Sequence, residues 1–379
     1  MKKHDILFLS ILLILILSTF QCKKTGTSLE SFVEVGNGFL TVLPLNAADF
    51  YLFVNLGHLN PPGHTFPSDH GGFYLTNWEV QVPVFSPGDM TISRITRVEH
   101  VNKGYFDYDM TLSVNNGGFE LVFGHLSALH ASIETQVTNW DDENSETYTT
   151  GGDTYTRTTA WTDISVLAGD TLAYAGGNPG QFGVDFGAFD QSVTIDFASD
   201  RFDGYKFPHT VSPLDYFTEE IRNILIPMCG DYVNGVPTIR TVPPIGGTVD
   251  FDLPGTLRGL WFRDGEPTSP EDPHLALIYC NVIPDVPLFC TGVSIPNLNT
   301  GLYTFTPVDV GETNRLFEDA DTIGQMYIYE IRTRGKADGV IDAILLVQLI
   351  DATRIRIERQ EIADGPPWVF TAQAIDFIR

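Results

Sequence analysis

The chain has 379 residues and a formal net charge of −26. A surface this acidic cannot neutralise nucleic-acid phosphates, which excludes nucleic acid as a partner and disfavours spread contact with anionic lipid. The length suits two domains, and frequent Gly and Pro with few long helical patterns favours β structure.

The first element in chain order is a targeting segment. Two lysines precede an apolar run from Ile6 to Leu17, and the sequence LSTFQC then ends at Cys22. This pattern resembles a bacterial lipoprotein signal, with an ordinary secretory signal or an uncleaved anchor as alternatives. The interpretation predicts a signal peptide over 1–21 and a tether over 22–34. Lipid on Cys22 would then anchor the protein in the bacterial cell envelope, at the outer membrane or facing the periplasm.

Residues 35–200 are predicted to form one β-sheet domain. Strand-like segments follow one another, and two of them flank Asn115-Asn116-Gly117-Gly118, a strong hairpin signal. A polar stretch rich in Thr, Asp and Gly lies between Ile133 and Ile164. It is predicted to be a surface excursion or an extra polar hairpin.

Residues 208–379 are predicted to form a second β domain. A short amphipathic helix from about Leu214 to Leu225 links the two domains, because apolar residues recur on one face after Pro213. Short strands separated by Gly, Pro and Asp turns then follow, which is typical of a sandwich or a small barrel. The fold class is therefore mainly β: an N-terminal twisted sheet and a C-terminal β-barrel or β-sandwich.

The cysteines beyond the targeting segment fall in the second domain. Cys280 and Cys290 are close enough in sequence to pair across a hairpin in an oxidising compartment. Cys229 would then remain as a small buried apolar residue.

Three stretches of the first domain resemble the lysostaphin-like zinc endopeptidases that cut peptidoglycan. Val82–Ile92 is similar to that family's strand and turn, Phe123–Ser127 to its histidine strand, and Val166–Gly177 to the hairpin that follows. The match covers about residues 55–195 in the family's order. It implies a peptidase-like twisted β-sheet for the first domain.

The resemblance implies one zinc ion held by a His and an Asp of a His-x-Gly-x-Asp motif and by the second His of a late His-x-His. Three protein ligands leave one position for water, whose pKa falls to about 7. Here Tyr74 replaces the aspartate of the first motif. Val184-Asp185-Phe186 lies where His-x-His is expected.

Other residues could replace these ligands. His64, Asp69 and His70 share one loop rich in Pro and Gly, and Asp185 could give an oxygen ligand. Zinc is the metal that the resemblance implies for this set, but two separate ligand losses favour a chain without a cofactor.

His125 is the residue that keeps its family identity at a catalytic position. The resemblance implies that such a histidine works on the water and the scissile carbonyl. The alternative is a buried strand histidine bonded to a neighbouring backbone group. No constellation of ligand residues surrounds His100, His209 or His274 in the sequence.

Three functions are compatible with these observations. The favoured one is a lipid-anchored pseudoenzyme whose peptidase-like domain binds cell-wall peptide, glycan or an envelope protein. The alternatives are a zinc metalloendopeptidase with a rearranged ligand set, and apolar-ligand binding by the C-terminal domain.

Overall fold

The computed structural model describes residues 35–379 except 115, 116 and 151. The fold is mainly β, with 42% strand and 9% helix, which confirms the predicted class. The predicted signal peptide, tether and lipidated Cys22 lie outside the described residues. In the described ranges, no helix is both long enough and apolar enough to cross a membrane.

The first part of the chain builds a large mixed sheet. Its longest path runs β13-β12-β1-β2-β10-β6-β5-β4-β8-β7, with β11 beside β10 and with β9 between β3 and β6. Most neighbours are antiparallel, and β1 and β12 are parallel. The strands are β1 (Phe50–Val54), β2 (Gly71–Leu75), β3 (Val82–Phe85), β4 (Met90–His100), β5 (Tyr105–Val114), β6 (Phe119–Leu129), β7 (Asp141–Thr150), β8 (Asp153–Val166), β9 (Thr171–Ala175), β10 (Gly183–Asp190), β11 (Thr210–Val211), β12 (Cys229–Val233) and β13 (Val236–Ile239).

Two predicted hairpins are present in this sheet. β5 and β6 pair antiparallel up to Val114 and Phe119, on either side of residues 115–118. β7 and β8 form the extra polar hairpin. The hairpin expected over Val166–Gly177 is wrong, because β8 pairs with β4 and β7 whereas β9 pairs with β3 and β6. The turn there carries the chain between different parts of the sheet.

The C-terminal part is a closed antiparallel barrel of eight strands, so the barrel alternative is confirmed over the sandwich. Closure pairs the first strand with the last, which leaves no free sheet edge. The strands are β14 (Gly259–Arg263), β15 (Leu275–Tyr279), β16 (Pro287–Thr291), β17 (Gly301–Thr304), β18 (Met326–Thr333), β19 (Ala343–Asp351), β20 (Arg354–Gln360) and β21 (Ile375–Ile378).

Both faces of the first barrel strands are buried. Side chains such as Trp261, Phe289 and Tyr329 fill the interior, as expected for the narrow lumen of eight strands. The alternate residues Leu260 and Phe262 point outward into a second apolar cluster against the rest of the chain. Because both faces are buried, the sequences of these strands are continuously apolar instead of alternating between apolar and polar residues.

The α-helices of the described residues are short. α1 (Ala131–Glu134) precedes the polar hairpin, and α2 (Glu219–Leu225) forms the second half of the predicted linking helix. The first half is a separate 3-10 turn, Pro213–Tyr216, because the Thr218 side chain caps a new helix by accepting from the N–H of Ile221.

The boundary predicted between 200 and 208 stays a prediction. Strands β11, β12 and β13 lie beyond it, yet they pair with the large sheet. The barrel strands begin at Gly259, and sheet and barrel belong to one compact unit.

The loop between β1 and β2 is anchored on the barrel through Phe66. Its ring is 2% exposed and stacks on His274 at a centroid distance of 5.4 Å, with Phe262 at 5.0 Å. The Phe66 N–H donates to the carboxylate of Glu271 at 2.9 Å. At the start of the loop, the Asn55 amide donates to the carbonyl of Asn281 at 2.6 Å. The loop is therefore fixed by contacts that the barrel supplies.

The predicted disulfide between Cys280 and Cys290 is wrong, since both are free and buried. Cys290 pairs in register with Ala276, four residues before Cys280 on the neighbouring strand. Four residues of strand span about 13 Å, far beyond the Cα separation that a disulfide allows. Cys229 is buried as predicted.

We expect Phe66→Ala to lower the free energy of unfolding by about 3–5 kcal/mol, because it leaves a cavity between loop and barrel. Chemical denaturation measures this change. Phe182→Ala is the matched control, since that ring is 53% exposed, and it should cost about 1 kcal/mol or less. Equal losses in the two variants would contradict the anchoring role of Phe66.

Candidate functional site

His70 lies at the end of the anchored loop, immediately before β2. From here the chain alternates, with Phe73 in the core and with Gly72 and Tyr74 on the opposite face. His70 is 25% exposed, and its Nδ1 contacts Asp69 Oδ1 at 2.8 Å. The first motif therefore presents a histidine and a tyrosine to one side of the sheet.

Asp185 is the third residue of β10. It lies between Gly72 of β2 and Gly124 of β6 in the register of the sheet. Val184 and Phe186 are in the core, 2% and 0% exposed. A His-x-His pair aligned on these two positions would therefore point away from the site, which corrects the predicted alignment by one residue. The site-facing neighbours of Asp185 are glycines 183 and 187.

His125 reaches the site through a bulge in β6. Tyr108 pairs with Leu126 and Met110 with Phe123, so one residue of β5 faces two of β6. His125 has a φ of 60°, an uncommon value for a non-glycine residue. Because of this bulge, His125 lies on the site face together with Gly124 instead of turning into the core.

His70 and His125 both contact Asp185, so that positive and negative side chains alternate through the site. His70 Nε2 and His125 Nε2 lie 3.6 Å and 3.4 Å from the same Asp185 Oδ2. The opposite nitrogen of His125, Nδ1, bonds to Asp107 Oδ2 at 2.8 Å. The order Asp69–His70–Asp185–His125–Asp107 is therefore a series of carboxylates separated by imidazoles.

Asp107 and His100 complete the network, although sequence reasoning assigned neither to it. Asp107 is 1% exposed, and it also accepts a short hydrogen bond from Gln181. His100 Nε2 lies 3.0 Å from the same oxygen, but out of line for a hydrogen bond. Their strands are sequential, and only the pairing of β4, β5 and β6 brings them beside His125.

The network shifts the ionisation of its members. Asp185 raises the pKa of His125 to about 10, against the opposing effect of burial. Burial lowers the pKa of His70, but Asp185 and the hydrogen bond to Asp69 outweigh burial and raise it to about 9. Burial disfavours ionised Asp185, yet the two histidines hold its pKa below the usual value. At neutral pH the centre therefore holds imidazolium and carboxylate ions.

His70, His125 and Asp185 line an open cleft of about 320 Å³. Its floor contains Gly72 and Gly183, and aromatic side chains contribute to its walls: Tyr74, Tyr105, Tyr155 and Phe182. His64 also faces the cleft, 5.1 Å from His70 between ring centroids. Burial lowers the pKa of His64 to about 4, so this ring is neutral.

The ligand atoms of a tetrahedral zinc ion lie about 3.3–3.6 Å from one another. The two separations from Asp185 meet this spacing. Among the described residues, however, the one trio of ligand atoms all within 4.8 Å of one another is His100, Asp107 and His125. The facing nitrogens of His70 and His125 are therefore too far apart to share one such ion.

The trio around Asp107 does not fit an ion better. Its separations of 2.8 Å and 3.0 Å are shorter than the spacing of zinc ligands, and Gln181 also donates to the same oxygen. The predicted set of His64, Asp69, His70 and Asp185 stays a prediction. In the present arrangement it would need side chains to move before three of its members could bind one ion.

Comparison with known protein families gives no match, and neither does a search of curated proteins. The geometry of the cleft therefore carries the functional interpretation.

We expect NMR titration of the histidine side chains to find two rings with pKa values well above 6.5. A pKa raised in the folded state adds stability that is complete below about pH 6.5 and is lost as the pH rises through about 9 to 10. Asp185→Asn should lower both pKa values, because it removes the shared negative charge.

Gly124→Ala is a second way to disturb the centre. A β-carbon at this position would lie 2.9 Å from Asp185 Oδ2 and 3.1 Å from Asp185 Cβ, so the Asp185 side chain must move. The same two pKa values should fall. The ring of His130 is bonded to Ser132 away from the centre and provides the reference signal. Unchanged His70 and His125 titrations in both variants would contradict the network.

Proposed function

We propose that the cleft over Asp185 is a non-catalytic binding site for a peptide or glycan-linked peptide of the bacterial cell envelope. The observation that carries this proposal is the closed series of ion pairs around Asp185. His70 and His125 both turn Nε2 toward Asp185. The Nδ1 atom of His70 contacts Asp69, and that of His125 contacts Asp107. Imidazoles engaged in this way lack the free lone pair that a metal requires.

The shape of the cleft supports an extended ligand. Gly72 and Gly183 lie in the floor beside Asp185 and add no side chains to it. Their place in the sheet requires glycine, because a β-carbon there would lie 2.5 Å from the carbonyl oxygen of Val184 or 2.6 Å from that of Phe73. Aromatic residues in the walls offer flat apolar surfaces with polar edges, which suit peptide and sugar ligands. Asp185 itself is 38% exposed and reachable from solvent.

The envelope context is part of the proposal. The lipoprotein-like start, with Cys22 as anchor, would hold the body in an aqueous compartment at a bacterial membrane. The similarity of three stretches to lysostaphin-like peptidases supports cell-wall peptide as the ligand class. The departures at Tyr74 and on β10 support loss of hydrolysis.

Calorimetric titration with soluble peptidoglycan fragments tests the proposal. Binding should persist in the presence of a chelator, because it does not require a metal. Asp185→Ala should weaken binding about tenfold or more, since it removes the charge at the centre of the cleft. Asp163→Ala, at an exposed position of β8, is the matched control and should bind like the unmodified protein. Absence of binding, or complete loss in chelator, would contradict the proposal.

A zinc endopeptidase remains the second candidate, because one observation favours it. Each histidine rests its Nδ1 on a carboxylate and turns Nε2 toward Asp185, as metal-bound histidines backed by carboxylates do. On our account, mass spectrometry should find no stoichiometric zinc, and zinc-loaded protein should not cleave peptidoglycan. One zinc per chain, lost in both His70→Ala and Asp185→Ala, with cleavage abolished by His125→Ala, would establish the enzyme instead.

A further inference from the structure

A second cavity of about 740 Å³ continues from the cleft across the sheet. His70 and Asp185 line both cavities, so the two join over the charged centre. From there the second cavity runs over β6 and β5 toward Arg94 on β4, and the linker contributes Lys206 to its wall. Together the cavities form one groove that crosses the strands.

Among the described side chains, Arg94 is the cation of this cavity without an acidic partner. Arg157 pairs with Asp109 at 2.7 Å, and Lys206 pairs with Glu120. In the described part of the chain no carboxylate lies within ion-pair distance of Arg94. Its Nη2 donates to the hydroxyl of Thr111 at 3.1 Å, which leaves most guanidinium hydrogens available. In a chain of net charge −26, such a cation inside a groove suits an anion supplied by a ligand.

The acidic residues of the second cavity repel an anionic ligand less strongly than their number implies. Burial raises the pKa of Asp109, and its single charge is matched by Arg157. Burial also raises the pKa of Glu271 to about 8, although its carboxyl accepts from the Phe66 N–H. The second cavity is therefore less negative than the surface of the protein as a whole.

The strand order sets the distance between the two charged ends of the groove. Asp185 on β10 and Arg94 on β4 are separated by β6 and β5. Three strand spacings of about 4.8 Å give about 14 Å, which is the length of about four residues of extended peptide.

We infer that Arg94 binds a carboxylate of the ligand, and that the ligand is an acidic peptide lying extended across β10, β6, β5 and β4. The carboxylate lies about four residues from the segment over Asp185. A planar guanidinium suits this role, because it offers paired hydrogen-bond donors to both carboxylate oxygens. This inference rests on the proposed function and adds the chemical class and direction of the ligand.

The test uses a peptidoglycan stem pentapeptide with free carboxylates and the same peptide with its carboxylates amidated, each labelled at the N-terminus. Fluorescence polarisation with the full chain should show the acidic form binding about tenfold or more tightly than the amidated form. Arg94→Gln keeps a donor for Thr111 and should abolish that preference. Arg94→Lys should keep part of it.

Arg97→Gln is the matched control. Arg97 lies on the same strand but packs over the rings of Phe106 and Trp140, outside both cavities. It should retain the full preference for the acidic peptide. Thermal unfolding of each variant checks that the fold is intact.

Equal binding of both peptides to the unmodified protein would overturn the Arg94 inference and leave the proposed binding site standing. A preference that survives Arg94→Gln would do the same. If neither peptide binds the unmodified protein, the inference and the proposed function fail together.

Discussion

The arrangement of the site depends on the anchoring of one loop. Between β1 and β2 the chain leaves the large sheet, inserts Phe66 into the aromatic cluster on the outside of the barrel, and returns with His70. Without this anchor the loop would carry its histidines on a flexible excursion, because such loops seldom have contacts of their own. The barrel interior is filled by large side chains, so an apolar ligand there has no observation in its favour. Its outer face supports the loop that completes the cleft.

The anchored loop holds His70 in place beside Asp185, so that the charged centre can form. Three different backbone features position the central residues: the end of the loop holds His70, the regular strand β10 holds Asp185, and the bulge in β6 holds His125. Opposite charges alternate through the series, so that no ion lies in the cleft without a partner of opposite sign. A site whose charged side chains are paired with one another is well ordered for ligand recognition. On the proposed function, the same ion pairs leave the histidines without the vacant lone pairs that metal-assisted hydrolysis requires.

Sequence patterns predicted local structure better than contacts between distant strands. The Asn-Gly hairpin and the barrel followed from residue periodicity and turn residues, which act locally. The alternation of Val184, Phe186 and Ala188 with glycines and Asp185 also showed which residues face the core, and it could have corrected the motif alignment. Asp107 and His100 carried no local signal, because their role arises from strand pairing and from the bulge at His125. The predicted disulfide was wrong for the same reason, because strand register sets the distance between the two cysteines.

Hydrogen–deuterium exchange with and without soluble peptidoglycan fragments tests the central claim most directly. Ligand in the groove should slow exchange in β2, in the bulged part of β6 and at the start of β10, because these strands form its floor. The barrel strands β18 to β20, far from the anchored loop in the barrel order, should exchange as before. Protection confined to the barrel, or no change in the three floor strands at saturating ligand, would contradict the account.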